Sequence, residues 1–197
     1  MLTINPYLGT DGIKPFAEVC KEYGKGVFVL VKTSNPSSGD FQDRLVAITE
    51  EEFVAFKTLG VELSSQQTQL YNLVALKVNE FSQQLKGQRG YSSIGAVVGA
   101  TYPKQAEVLR KIMPDTIFLV PGYGTQGATA DYVMPCFNND GYGALVNNSS
   151  AITFVYQKLK SDPKNYAEAA RDATKLMIED IRSALYKANK FPKNWKR

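Results

Sequence analysis

Residues 116–129 read TIFLVPGYGTQGAT, and the passage divides at Pro121. Ile117-Phe118-Leu119-Val120 is a short apolar run of strand formers, the pattern of a β-strand buried on both faces. Beyond Pro121, the glycines Gly122, Gly124 and Gly127 clear side chains from a loop, so backbone N–H groups can approach an anion, with Gln126 as the long amide among them. A strand running into such a loop has the anatomy of a phosphate site at the carboxyl end of a strand. The alternative is a tight turn that binds nothing. Other stretches repeat the form, which favours the ligand.

Leu2-Thr3-Ile4 leads into Asn5-Pro6-Tyr7-Leu8-Gly9, so the polypeptide begins inside a strand. Gly26 to Asn35, GVFVLVKTSN, is apolar for five residues and then turns polar from Lys32. Ile94 to Thr101, IGAVVGAT, is a strand whose Gly95 and Gly99 allow tight packing or ligand approach. Ala144-Leu145-Val146 ends in Asn147-Asn148-Ser149-Ser150, a cluster of amides and hydroxyls.

Helical patterns lie between these strands. Thr10 and Asp11 are expected to cap a helix with Ile13, Phe16, Ala17 and Cys20 on its apolar face and Gly24 and Gly26 at its end. Residues 37–44 read as loop, and Thr49 followed by Glu50, Glu51 and Glu52 reads as the acidic first turn of a short helix. That helix belongs to an insertion at about 45–63. A longer helix over 64–85 sets Leu70, Val74, Val78, Phe81 and Leu85 on one face, and Pro103 opens another that runs to about Met113. A short helical segment over 130–137 precedes a turn at Asn138-Asn139-Asp140-Gly141. The last helix, about 163–188, carries Tyr166, Ala170, Ala173, Met177, Ile181 and Leu185 on one side and ends in a basic, solvated tail.

Apolar strands that each lead to a helix and end in polar or glycine residues indicate a parallel sheet with helices outside it. A (β/α)8 barrel is the first choice, with the chain supplying about five of the eight strands. A doubly wound open sheet is the alternative, but no dinucleotide fingerprint follows the first strand. With 197 residues and 44% apolar content, the chain forms one domain, 1–197.

The formal net charge of +4 is spread along the chain without a basic stripe interleaved with aromatics, which suits an anionic metabolite better than nucleic acid. Histidine is absent, which removes Ser-His-Asp and Cys-His chemistry and His-based metal sites. Cys20 and Cys136 fall within apolar patterns and read as buried thiols of a reduced compartment. The apolar runs are too short to cross a bilayer and the N-terminus does not have the pattern of a secretion signal, so a cytoplasmic protein with no membrane contact is expected.

Five blocks then fall in register: Asn5-Pro6-Tyr7-Leu8-Gly9, Lys32-Thr33-Ser34-Asn35-Pro36, Val97-Val98-Gly99-Ala100-Thr101, Val120-Pro121-Gly122-Tyr123-Gly124-Thr125-Gln126-Gly127 and Leu145-Val146-Asn147-Asn148-Ser149. Together they resemble the bacterial-type orotidine 5'-phosphate decarboxylases from the first residue to about Tyr156. The resemblance implies a dimeric barrel of which this chain supplies strands four to eight. It also implies conversion of orotidine 5'-monophosphate to uridine 5'-monophosphate and CO2 in pyrimidine biosynthesis, without metal or organic cofactor. Carried over by position, Ser34 meets the pyrimidine amide edge and Gln126 bridges base and phosphate. Backbone donors around Ser149 and Ser150 meet the phosphate, and Asn35, Pro121 and Gly127 are further substrate contacts.

Two departures stand out. Family members generally carry Arg where this chain has Ser150, and loss of that charge-assisted contact is expected to weaken phosphate binding. The family's decarboxylating Lys and Asp cluster would precede Met1, and no Asp-x-Lys-x-x-Asp pattern occurs in the chain. No catalytic residue is therefore assigned here, Lys32 being a poor stand-in for the proton donor. The expectation is a chain inactive by itself, completed by a missing amino-terminal segment or a companion chain. The alternatives are a non-catalytic nucleotide-binding or assembly module and a different phosphosugar decarboxylase.

Overall fold

A computed structural model describes residues 1–124, 127–159 and 162–195. The chain opens with β1 (Leu2–Ile4), α1 (Thr10–Tyr23) and β2 (Val27–Lys32), followed by β3 (Leu45–Ala47), α2 (Glu50–Thr58), β4 (Gln67–Gln69) and α3 (Leu70–Gln84). Next come β5 (Ile94–Val98), α4 (Pro103–Ile112), β6 (Phe118–Val120), α5 (Ala130–Val133) and β7 (Ala144–Val146). Three helices close the chain: α6 (Ser149–Thr153), α7 (Val155–Lys158) and α8 (Tyr166–Lys187).

Five strands form the main sheet in the order β1-β2-β5-β6-β7, and every neighbouring pair is parallel. Each new strand is therefore laid beside the previous one, always on the same side. A doubly wound sheet must reverse its order at a switch point, and this one never does. The progression is that of a (β/α)8-type barrel, of which the chain supplies five strands with helices outside.

The face that meets the helices is the packed one. Val27, Val29, Val31, Ile94, Ala96, Val98, Phe118 and Val120 are buried with Ile13, Ala17 and Cys20 of α1 and Ala106, Leu109 and Ile112 of α4 in a single core. On the opposite face, Gly95 pairs in register with Phe28, and a Cβ built at Gly95 would lie 2.4 Å from the Phe28 ring and 2.9 Å from the Ile117 carbonyl. Only a glycine fits beneath that ring. At the amino ends of the strands, the buried Arg110 guanidinium donates to the carbonyls of Met113, Thr116, Cys136 and Gly143 at 2.7–2.9 Å. Burial lowers its pKa to about 10, which still leaves it charged at neutral pH.

Several expectations need correcting. Gly9, not Thr10, occupies the N-cap position of α1; its φ of +73° suits glycine, and Thr10 is already helical. Phe16 is exposed on α1, outside the buried face of Ile13, Ala17 and Cys20. Helix α3 begins at Leu70, because residues 67–69 pair antiparallel with residues 45–47. The insertion is thus a small β-ribbon bracketing α2, whose Thr49 and Glu52 form a reciprocal capping box.

The buried face of α3 is also rotated from the one expected. Tyr71, Asn72, Ala75, Leu76, Val78, Asn79 and Ser82 are buried, while Leu70, Val74 and Phe81 are only half covered. Nor is the basic tail simply solvated. Lys190 donates to the carbonyls of Met134 and Phe137, and Phe191 and Trp195 pack edge-to-face, with Trp195 also on Tyr142.

Gly95→Ala is expected to destabilise the chain by about 1–3 kcal/mol, since the added methyl group overlaps a buried ring and a carbonyl. The shift of the urea midpoint measures this, and an unshifted midpoint would show that the two faces can slide apart at no cost.

Candidate functional site

The ladder does not stop where the strands do. Gly99 N donates to Lys32 O at 2.7 Å, Ala100 N to Pro121 O at 2.8 Å and Asn147 N to Val120 O at 3.2 Å. The carboxyl ends of β2, β5, β6 and β7 are tied into one rim. Ser34 sits directly against Gly99, where a Cβ would lie 2.9 Å from both Ser34 Cβ and its backbone nitrogen. The missing side chain is what lets the 33–36 turn close over β5.

Among the described residues, the Ser34 hydroxyl takes no protein partner, whereas Asn35 Oδ1 accepts from Thr33 Oγ1 at 2.6 Å. Gln42 holds the turn from behind, accepting from Thr33 N at 3.0 Å and donating to Thr33 Oγ1 at 2.8 Å. Two more polar atoms at the rim, Thr101 Oγ1 and Asn147 Oδ1, are buried and unpartnered among the described residues. Unpaired buried polar atoms are costly and few in folded proteins; Asn72 Oδ1 and Arg110 Nε share this state away from the rim, while Thr101 and Asn147 lie where a bound group would meet the strand tips.

The glycine-rich loop follows β6. Gly122, Gly124 and Gly127 all have positive φ, at 102°, 73° and 85°. Tyr123 bridges to Ala128, Gly124 N donates to Ala128 O at 2.8 Å, and Gly127 N donates to Gly124 O at 3.0 Å. On the β7 side the loop rests on Asn148, whose Nδ2 would lie 2.9 Å from a Cβ at Gly124. Pro121 is half-buried at the strand tip, Gly127 is exposed, and Ser149 and Ser150 are exposed at the start of α6. Gln126 lies outside the described residues.

Lys32 turns away from this chemistry. The β2–β5 register shifts between Leu30 and Lys32, and the fully buried ammonium lies 4.4 Å from the Tyr102 ring centre and 5.6 Å from that of Tyr71. Its charge is met by Asp43 Oδ1 at 2.7 Å and Ser38 Oγ at 3.4 Å. Ser38 in turn lies 3.3 Å from Tyr102 OH. Lys32 is thus a pin that fastens the 36–43 segment to the tips of β2 and β5. The sequence reading missed Asp43 and Gln42, which sit in a polar loop with no periodicity to mark them.

Clefts of about 350 and 300 Å³ do occur, but residues of α8 and the tail, such as Arg182, Tyr186 and Phe191, line them, and no rim residue does. The rim, with its unpaired donors and acceptors, is the better candidate for polar recognition. No three His, Cys, Asp or Glu side chains among the described residues are grouped to hold a metal ion.

Residues 1–153 match the model of the orotidine 5'-phosphate decarboxylase / HUMPS family. The chain belongs to that family. It is 41% identical over 185 residues to the orotidine 5'-phosphate decarboxylase of Rhodopirellula baltica, covering 92% of this chain and 55% of that one. The decarboxylase of Caldicellulosiruptor bescii is likewise 41% identical, at 93% and 53% coverage. The structure of Leishmania donovani OMP decarboxylase superposes with a TM-score of 0.61 at 26% identity, covering 93% of this chain and 56% of that one. The chain thus spans about half the length of the decarboxylases it matches, and the residues that match the family model include Ser34 through Ser150.

If Lys32 is a structural pin, the two members of its ion pair with Asp43 are not equivalent. Asp43→Asn should leave a buried ammonium without its carboxylate and cost about 1–3 kcal/mol. Lys32→Met, which fills the same space between the two tyrosines without a charge, should cost less than about 1 kcal/mol. Urea unfolding of both variants checks this, and equal costs would contradict the assignment.

Proposed function

We propose that this chain is the ligand-gripping part of an orotidine 5'-phosphate decarboxylase. The observation that carries the reading is the tied rim, where Ser34, Pro121, the glycine loop and Asn147 to Ser150 follow one another along a single sheet edge. In this reading Ser34 takes the amide edge of the pyrimidine, with Asn35 holding the turn and Pro121 beside the base. Gln126, Gly127 and the donors at Ser149 and Ser150 reach towards the phosphate.

The bond to be broken joins the substrate carboxylate to the pyrimidine ring. Its cleavage releases CO2 and leaves a ring carbanion that must take up a proton. A crowded carboxylate and a Lys suit these steps, and among the described residues Lys32, which ends β2, is committed to Asp43. We therefore assign the bond-breaking groups to a further polypeptide segment carrying about three strands, which is eight less the five present.

The sheet supports this reading. Its edge strands β1 and β7 expose Leu2 (56%) and Leu145 (51%), and α1 beside β1 exposes Val19 and Tyr23, so both borders offer unpaired strand and apolar surface. We further infer a homodimer and a cytoplasmic setting, as for a pyrimidine biosynthetic enzyme. Among the described residues no helix is long and apolar enough to cross a membrane. The second reading, a nucleotide-binding module without turnover, is favoured by the absence of an Asp-x-Lys-x-x-Asp pattern from the sequence.

The test mixes this chain with an amino-terminal portion of the Rhodopirellula relative. The expected outcome is that the chain alone binds uridine 5'-monophosphate calorimetrically without decarboxylating orotidine 5'-monophosphate, and that the mixture releases CO2. Binding by a stable complex that releases none would favour the second reading. No binding at all would overturn both.

A further inference from the structure

We propose that Asp180 of α8 is a positioning residue for the glycine-rich loop: it anchors Tyr123 and so holds the turn through Gly122 and Gly124 in place beside a phosphate. The last clause rests on the reading above, while the anchor itself does not. Tyr123 stands between two glycines of positive φ, and it is the bulky side chain of that turn. It points away from open solvent: only 9% of it is exposed, and its hydroxyl donates to Asp180 Oδ2 at 2.5 Å.

Burial and the neighbouring carboxylate both raise the phenol pKa, so the hydroxyl remains a donor across the physiological range. The link crosses 57 residues of sequence and joins the loop to an outer helix that lies beyond residue 153, where the family match ends. With Asn148 packed against Gly124 on the β7 side, the loop is gripped from two directions.

Glycine makes such an anchor necessary. Three glycines let the backbone approach an anion, but each adds conformational freedom that binding must remove. A single tyrosine fixed at its far end restrains the turn without placing a side chain in the path of the ligand. Asp180 then acts on affinity for phosphate rather than on contact with it.

The experiment compares the parent chain with Asp180→Ala, Asp180→Asn and Tyr123→Phe, using uridine 5'-monophosphate and uridine as calorimetric probes and hydrogen exchange of the Gly122–Gly124 and Gly127 amides. Asp180→Ala and Tyr123→Phe should each weaken the nucleotide about tenfold, the worth of one charge-assisted hydrogen bond, and leave uridine unchanged. Asp180→Asn, which keeps an acceptor, should recover most of the loss. The double variant Tyr123→Phe/Asp180→Ala should be no weaker than either single one. Loop exchange should rise about tenfold in Asp180→Ala while the melting temperature of the whole chain changes little.

Equal losses for nucleotide and nucleoside would overturn the role towards phosphate. Unchanged loop exchange in Asp180→Ala would overturn the anchor. A parent chain that binds neither probe would overturn the nucleotide reading, and the exchange result would still decide whether Asp180 holds the loop.

Discussion

Parallel pairing in unbroken sequential order is the constraint from which the other features follow. Two parallel strands cannot be joined by a tight turn, so each of the five must be reached by a crossover on the far side of the sheet. The crossovers are helical wherever α1, α3 and α4 connect sheet strands, and the carboxyl ends of all five strands point the same way. Polar residues that are distant in sequence, such as Ser34 and Asn147, thereby come to one edge. The extra ladder bonds from Gly99, Ala100 and Asn147 then extend the pairing beyond the strands themselves, so the rim has the rigidity of the sheet.

The two ends of the sheet carry different tasks. At the amino ends, Arg110 and Lys190 satisfy carbonyls of neighbouring turns, including those of Cys136, Gly143, Met134 and Phe137, and aromatic residues of the tail pack over them. Cations there are consumed by backbone acceptors and stabilise the fold. At the carboxyl ends, polar atoms of Thr101 and Asn147 have no partner among the described residues, and the loop after β6 is built of glycines with positive φ. Separating stability at one end from recognition at the other is the division expected of a barrel. It explains why a basic tail contributes to packing and not to the site.

The inner strands β2, β5 and β6 were legible in the sequence because each is a continuous apolar run, the signature of a strand buried on both faces, and because glycine or polar residues follow it. The face of α3 was not, since Tyr71, Asn72, Asn79 and Ser82 are buried as hydrogen-bonded polar groups: Asn72 donates to Thr68 and Ser82 accepts from Thr116. A pattern that scores apolar residues turns such a helix the wrong way. The start of α1 was misplaced because Gly9 reaches an N-cap geometry by its own conformational freedom, without the side-chain acceptor that marks Thr or Asp. Of the rim, Ser34, Pro121 and the loop glycines were legible as strand tips. Their supports were not, since Asp43, Gln42 and Asp180 meet their partners across 9 to 57 residues, and nothing local in the sequence encodes such a pairing.

On the proposed reading, a rim of this composition has to bind a dianion. Ser150 stands where the resemblance leads one to expect a guanidinium, and Lys32, which ends β2, is buried against Asp43 with no exposed surface. In that reading the attraction rests on backbone N–H groups and neutral side chains, which are dipoles. A dipole stabilises an anion only when it points at it, and its effect is lost with misorientation faster than that of a charge. A site that relies on dipoles therefore depends on whatever holds them still. Here those restraints are Asn148 against Gly124 on one flank, the Tyr123–Asp180 bond on the other, and Gln42 behind the Ser34 turn. In the proposed site a rigid frame takes the place of a charge, and residues far from the ligand join the set that determines affinity.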